Sequence, residues 1–199
     1  MRVTGVVLAA MLLTLCGCQA KEAAAPAQAQ AHTINDSMTK IMEPNAEAIW
    51  DTMSKAYNDK GDALDASKLS EDDWKKMADA SAKLRDRAKE LIDNAKNITV
   101  AASNEPILGS QAVGKVGPSG ADWDAVGPET IKKRIDAKPD LFAQKAKVLF
   151  DASSKINQAS VSKDVALLYS VGSEMDEVCD GCHEPFWGTD EPPPFPKAK

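Results

Sequence analysis

Residues 161–183 read VSKDVALLYSVGSEMDEVCDGCH, and in them Val161, Val165, Leu168, Gly172, Met175, Cys179 and Cys182 recur in strict alternation of four and three. That alternation keeps one stripe of a helix turned toward its neighbours, the pattern of a seam in a helical bundle. The stripe ends in two cysteines followed by a histidine. Cys179-Asp180-Gly181-Cys182-His183 has the form Cys-x-x-Cys-His, the attachment signature of a c-type haem. Each thiol can form a thioether to a porphyrin vinyl group, and the adjacent imidazole can then reach the iron. On a helix, positions i, i+3 and i+4 lie within about 100° of one another, so the three side chains share a face. The expectation is one covalent haem c, lying inside the bundle because its thiols continue the core seam.

Other uses of these residues fit less well. A thioredoxin-like dithiol opens a helix in a βαβ setting, whereas this pair closes a helical pattern. Structural zinc takes four ligands, but the only histidines are His32 and His183, and the other cysteines, Cys16 and Cys18, lie in a leader. A Cys179–Cys182 disulfide would leave His183 without a role. His32, beside a tether, reads as a solvated side chain.

Working outward, Pro185 and Gly188 should end the last helix, and residues 189–199, with Pro192-Pro193-Pro194, form an extended polar tail. Before it, a turn at 157–160 separates a helix that Pro139 starts or kinks, with Leu141, Val148, Leu149, Ala152 and Ile156 facing inward. A helical turn or two precedes it over 129–136. Ser70-Glu71-Asp72-Asp73 reads as an N-cap with acids in the first turn. The helix it starts carries Trp74, Met77, Ser81, Leu84, Ala88, Leu91, Ala95 and Ile98 on one seam. A first helix holds Ile34, Met38, Met42, Ile49 and Met53, with Pro44 as a kink or as the first turn of a second piece; a loop over 58–68 follows it. Residues 99–128 contain five glycines and three prolines without any sustained period. This is long for a bundle connection and reads as an insertion, with Trp123 as its anchor. The fold expected over 34–188 is therefore all-α, an antiparallel four-helix bundle with a long loop between its second and third helices.

The 199 residues suit one domain with extensions. A formal charge of -6 and the lack of a basic patch exclude a nucleic-acid partner as an expectation. Charge of that size suits a soluble helical surface, and would also suit a basic redox partner. Met1 and Arg2 followed by the apolar run 3–15 form an export signal too short to span a bilayer as a mature helix. Leu15-Cys16-Gly17-Cys18 resembles the bacterial lipobox, so residues 1–17 are read as a lipoprotein signal peptide with Cys18 as the lipidated mature N-terminus. Loss of residues 1–17 leaves 23 basic against 30 acidic side chains. Residues 18–33, rich in Ala and Gln, read as a flexible tether. Both a lipoprotein signal and a cleaved soluble one place the chain in the periplasm; the likeness to outer-envelope lipoproteins, with Gln19 after the lipidated cysteine, favours the outer membrane.

Taken together, residues 34–188 resemble the class II c-type cytochromes, the cytochrome c-prime group. The likeness rests on residues 38–50 (MTKIMEPNAEAIW), on the seam of the last helix, and on Cys179 to His183 followed by Pro185-Phe186-Trp187. The 38–50 segment is similar to that of lipoprotein members, in which a Met lies six residues before the Pro. The resemblance implies His183 as the proximal iron ligand and, as in low-spin members, Met38 as the distal one, with Met42 one turn along as the alternative. Two features depart from the family pattern: the long 99–128 loop, and Trp187 where many members carry a basic residue near a haem propionate. The implied function is single-electron transfer, not catalysis, by a cytochrome tethered to the membrane and serving redox partner proteins of the envelope. The alternative is a five-coordinate haem protein that binds nitric oxide or carbon monoxide, with both methionines off the iron and serving only as packing. The family also admits a homodimer, though no residue marks an interface.

Overall fold

The structure, a computed structural model, describes residues 32–102 and 127–187. These are mostly helical, and among them there is no β-strand, only an isolated bridge between Tyr57 and Leu64. The fold is all-α. The leader with Cys16 and Cys18, nearly all of the tether, Trp123 with the middle of the long connection, and the tail lie outside the described residues.

Helix α1, Ile34–Asp36, runs into a π-helical segment, Ser37–Met42, and then into α2, Glu43–Ala56. Thr33, read from composition as the end of the tether, is the N-cap: its Oγ1 accepts from the Asp36 amide at 3.0 Å. Pro44 accounts for the widened turn. It has no N–H for the Lys40 carbonyl, and its ring would collide with that carbonyl in α geometry. The preceding turn relaxes to the wider bonding, with the Glu43 amide reaching the Met38 carbonyl.

Helix α3, Glu71–Asp93, begins as its sequence implies. Ser70 and Asp73 form a reciprocal capping box, the Ser70 Oγ accepting from the Asp73 amide and the Asp73 carboxylate from the Ser70 amide. Trp74, Met77, Ser81, Leu84, Ala88 and Leu91 are all buried, and Ala95 and Ile98 stay buried in the turn beyond the helix end.

After α4, Pro128–Ala137, helix α5 spans Pro139–Ser162, each opening on a proline whose missing N–H has no partner to lose at that position. Residues 157–160 are not the expected turn. Asn157 donates to the Ala78 carbonyl of α3 at 2.7 Å, and Ala159 and Ser160 are buried. The chain turns at Lys163, in the left-handed region at φ 55°. Leu149 and Ile156 face the core as expected, but Phe142 and Ser153 are buried where Leu141 and Ala152 are only half-buried, and Val148 is 46% exposed.

The last helix is two. Asp164 caps α6, Val165–Gly172, by accepting from the Leu167 amide; α7, Met175–Trp187, follows after Ser173 and Glu174. Val161 lies before the break and is 71% exposed, so it is not part of the seam. Pro185 sits inside α7 and not at its end; near the last turn it forfeits a single bond, to the Gly181 carbonyl.

Side-chain pairs give the directions. Lys55 meets Asp73 at 2.8 Å, so α2 and α3 run antiparallel, and so do α3 and α5, joined by Asn157 to Ala78 and by an ion pair between Lys163 and Glu71. Tyr57 stacks edge-on to Tyr169 with centroids 6.4 Å apart, and a methyl group at Gly172 would overlap the Met53 thioether, so α6 runs antiparallel to α2. Phe142 lies edge-on to Phe186 at 5.3 Å, tying α5 to α7. One continuous apolar cluster extends from Ile34 to Phe186. No helix among the described residues is long and apolar enough to cross a membrane.

Candidate functional site

The Cys-x-x-Cys-His stretch lies wholly within α7, and the helix sorts its side chains by chemistry. Met175, Cys182 and Phe186 are buried and Cys179 is half-buried, while Asp176, Glu177, Asp180 and Glu184 are exposed. The same three-four stripe that packs the core thus carries both thiols. Arg134 of α4 donates to the Phe186 carbonyl at 3.1 Å, fixing the last turn where helix carbonyls lack intrahelical partners.

Both cysteines are free thiols. Burial pushes Cys179 up to about 11, helped by Asp176 and Asp180. It pushes Cys182 up to about 11 as well, with Cys179 adding to the shift and Lys145 opposing it. A redox dithiol needs a depressed pKa, commonly at a helix N-terminus or beside a cation. These thiols sit inside α7 and stay protonated, which argues against thiol–disulfide chemistry.

His183 shows part of its surface to solvent, with the Trp187 ring 5.6 Å away. Desolvation lowers its pKa, and Asp180 opposes the change. The neutral imidazole, the form that binds metal, is thereby favoured. Trp187 adds a second feature. Its Nε1 is buried without an acceptor, a condition that costs about 1–3 kcal/mol. A haem carries two propionate carboxylates, and one of them would meet that donor. Two protonated thiols, a neutral imidazole on the same helix and an unmet N–H donor beside it fit a covalent haem.

Met38 and Met42 both lie in the π-helical segment, 8% and 6% exposed. From the meeting of Met53 and Gly172, α6 runs antiparallel to α2, and α7 follows it toward the end where the first helix begins. The structure therefore gathers both methionines and the attachment stretch at one end of the molecule. His32, one residue before the Thr33 N-cap, is exposed. Among the described residues no cluster of three or more His, Cys, Asp or Glu is arranged to hold a metal ion by itself. Two surface grooves, one between Asn45–Ala48 and α3 and one between residues 99–101 and α4, are lined by none of these side chains.

Two buried polar groups are invisible in the sequence pattern. Arg87 of α3 is 7% exposed, at a flanking position that a charged residue marks as surface. Trp187 reads as a departure from a family pattern; the side chain is half-buried, and only the fold shows that its Nε1 is enclosed without an acceptor.

No profile of a known family matches the chain, and no curated protein or solved structure does either.

Proposed function

We propose that this chain is a class II c-type cytochrome of the periplasm, tethered through lipidated Cys18 to the membrane, with the outer membrane favoured, and passing single electrons between redox partners of the envelope. The observation that carries this reading is that Cys179 and Cys182 fall on the core stripe of α7, with His183 directly after them, at the end of the molecule that also holds the buried Met38 and Met42. In this reading the chain forms an antiparallel four-helix bundle. Its members are the 34–56 helix, α3, α5, and the α6–α7 pair.

When bound, haem c supplies an iron centre that gains and loses one electron. The chain's own residues do the rest. Cys179 and Cys182 would hold the porphyrin by thioethers, and His183 would offer a neutral nitrogen to the iron. Met38, with Met42 as the alternative, would offer a soft thioether, which favours the ferrous state and raises the potential. The apolar cluster around them excludes water and keeps both ligands in place through the redox change. The tether confines the domain to the membrane surface and raises the effective concentration of partners held there.

The test is to express the full chain with its export signal in a host that matures c-type cytochromes. Covalent haem is read by in-gel peroxidase staining, and the optical spectrum is recorded with and without carbon monoxide. Covalent haem with low-spin bands unmoved by carbon monoxide is the expected result. Absence of covalent haem would overturn the reading. A high-spin ferrous spectrum that shifts promptly would replace electron transfer by gas binding at a five-coordinate iron.

A further inference from the structure

Among the described residues Arg87 is the one charged side chain that is buried, 7% exposed in a helix whose other charged groups face solvent. Its Nη1 pairs with Glu90, itself about half exposed, but its Nε is buried with no acceptor. A guanidinium presents a planar fork suited to a carboxylate that accepts at two points; Glu90 answers only part of it.

Its position in the fold is specific. Counting fourteen residues on from Asp73 along α3, and fourteen back from its partner Lys55, sets Arg87 level with Ile41, between Met38 and Met42. It lies seven residues beyond Ala80, which lines the groove against Asn45 and Ala48, so it is on the side of α3 that meets the first helix. Across α5, nine residues from the Asn157–Ala78 bond lead to residue 148, and three from the approach of Lys145 to Gly181 lead to residue 178, beside Cys179. Arg87 is thus level with the two methionines on the first helix and, through α5, with the start of the attachment stretch. Trp187 Nε1, the other buried N–H without an acceptor, lies at the same end. Two unmet donors there, one cationic, ask for an anion with more than one carboxylate.

We propose that Arg87 holds a propionate of the haem by a charge-assisted hydrogen bond from its buried guanidinium, on the face of α3 that meets the first helix. This rests on the haem reading above and adds a positioning residue that neither the attachment motif nor the methionines specify. A cation beside the porphyrin favours the ferrous form, so its loss disfavours reduction.

The experiment measures the redox midpoint of the full-length, haem-loaded protein for wild type, R87M and R87K, with helical content checked by circular dichroism. R87M is expected to keep covalent haem but to lower the ferrous-to-ferric ratio about tenfold at a fixed applied potential, 59 mV for a one-electron couple. R87K, keeping the charge, should recover most of that loss. If R87M does not fold, R87Q is read in the same titration. Wild-type midpoints in R87M or R87Q, or an R87K no better than the neutral variants, would overturn the proposal while leaving the cytochrome reading intact. Wild-type protein without covalent haem would overturn both.

Discussion

The two ends of the molecule are built differently. At one end Ser70 and Asp73 cap α3, Lys55 and Lys163 pair with Asp73 and Glu71, Asp164 caps α6, and Tyr57 packs on Tyr169. Its polar groups find partners within the chain. The other end holds the π-helical Ser37–Met42 segment, the proline within α7, two buried methionines, and the unmet donors of Arg87 and Trp187. Buried donors left unpaired cost about 1–3 kcal/mol each, and irregular helix turns gather where function constrains the chain. The first end closes on itself; the second leaves two buried donors unmet.

The contrast breaks most sharply if the second end is self-sufficient. Replacing Cys179 and Cys182 together with Ala should abolish covalent haem and cost several kcal/mol, roughly 3–5, because a cofactor-sized void would open in the core. Haem staining and thermal unfolding measure both; unfolding as late as wild type would show that nothing is missing there. Next in size, Met77→Ala on the regular seam, where the side chain is 0% exposed, should cost about 3 kcal/mol in urea unfolding yet leave the haem spectrum unchanged. A spectral change would mean that the two ends are not separable. Met38→Ala should cost somewhat less, about 2 kcal/mol, but turn the ferrous spectrum high-spin and responsive to carbon monoxide. If Met42→Ala does this in its place, the sixth ligand is Met42.

The smallest effect belongs to the self-contained end. Ser70→Ala should cost about 1 kcal/mol without touching the haem. Asp73 is held down to about 2 from 3.8, by Lys55 first and then by Ser70. A carboxylate depressed in the folded state contributes stability that is complete above its unfolded pKa of 3.8 and fades as pH falls toward 2. Unfolding measured across that window should show a shallower loss in the Ser70→Ala protein, since one cause of the depression is gone. An unchanged slope would assign the depression to Lys55 alone.

The local signals were legible because they depend on near neighbours. The capping box at Ser70, the seam from Trp74 to Leu91 and the start of α5 at Pro139 appear where their residues imply. The end of α5 was hidden because Asn157, a turn former by composition, spends its amide on a carbonyl of α3 and so stays helical. The break after Gly172 was hidden because the four-three spacing runs through it undisturbed. At the site, the stretch from Cys179 to His183 and the pair Met38 and Met42 could be picked out by residue type and spacing. Arg87 could not, since a lone charged residue beside a seam is ordinarily solvated.

By itself, then, the sequence determined the helical class, the starts of α3 and α5 and the stripe that carries both thiols, all set by interactions within one or two turns. The tertiary structure alone decided that both methionines lie at the end of α7, that α6 approaches α2 closely enough for Gly172 to matter, and that Arg87 and the Nε1 of Trp187 are buried with donors to spare. Those outcomes depend on the register between helices far apart in the chain. That register is set by the summed packing of a whole interface, and no local stretch encodes it.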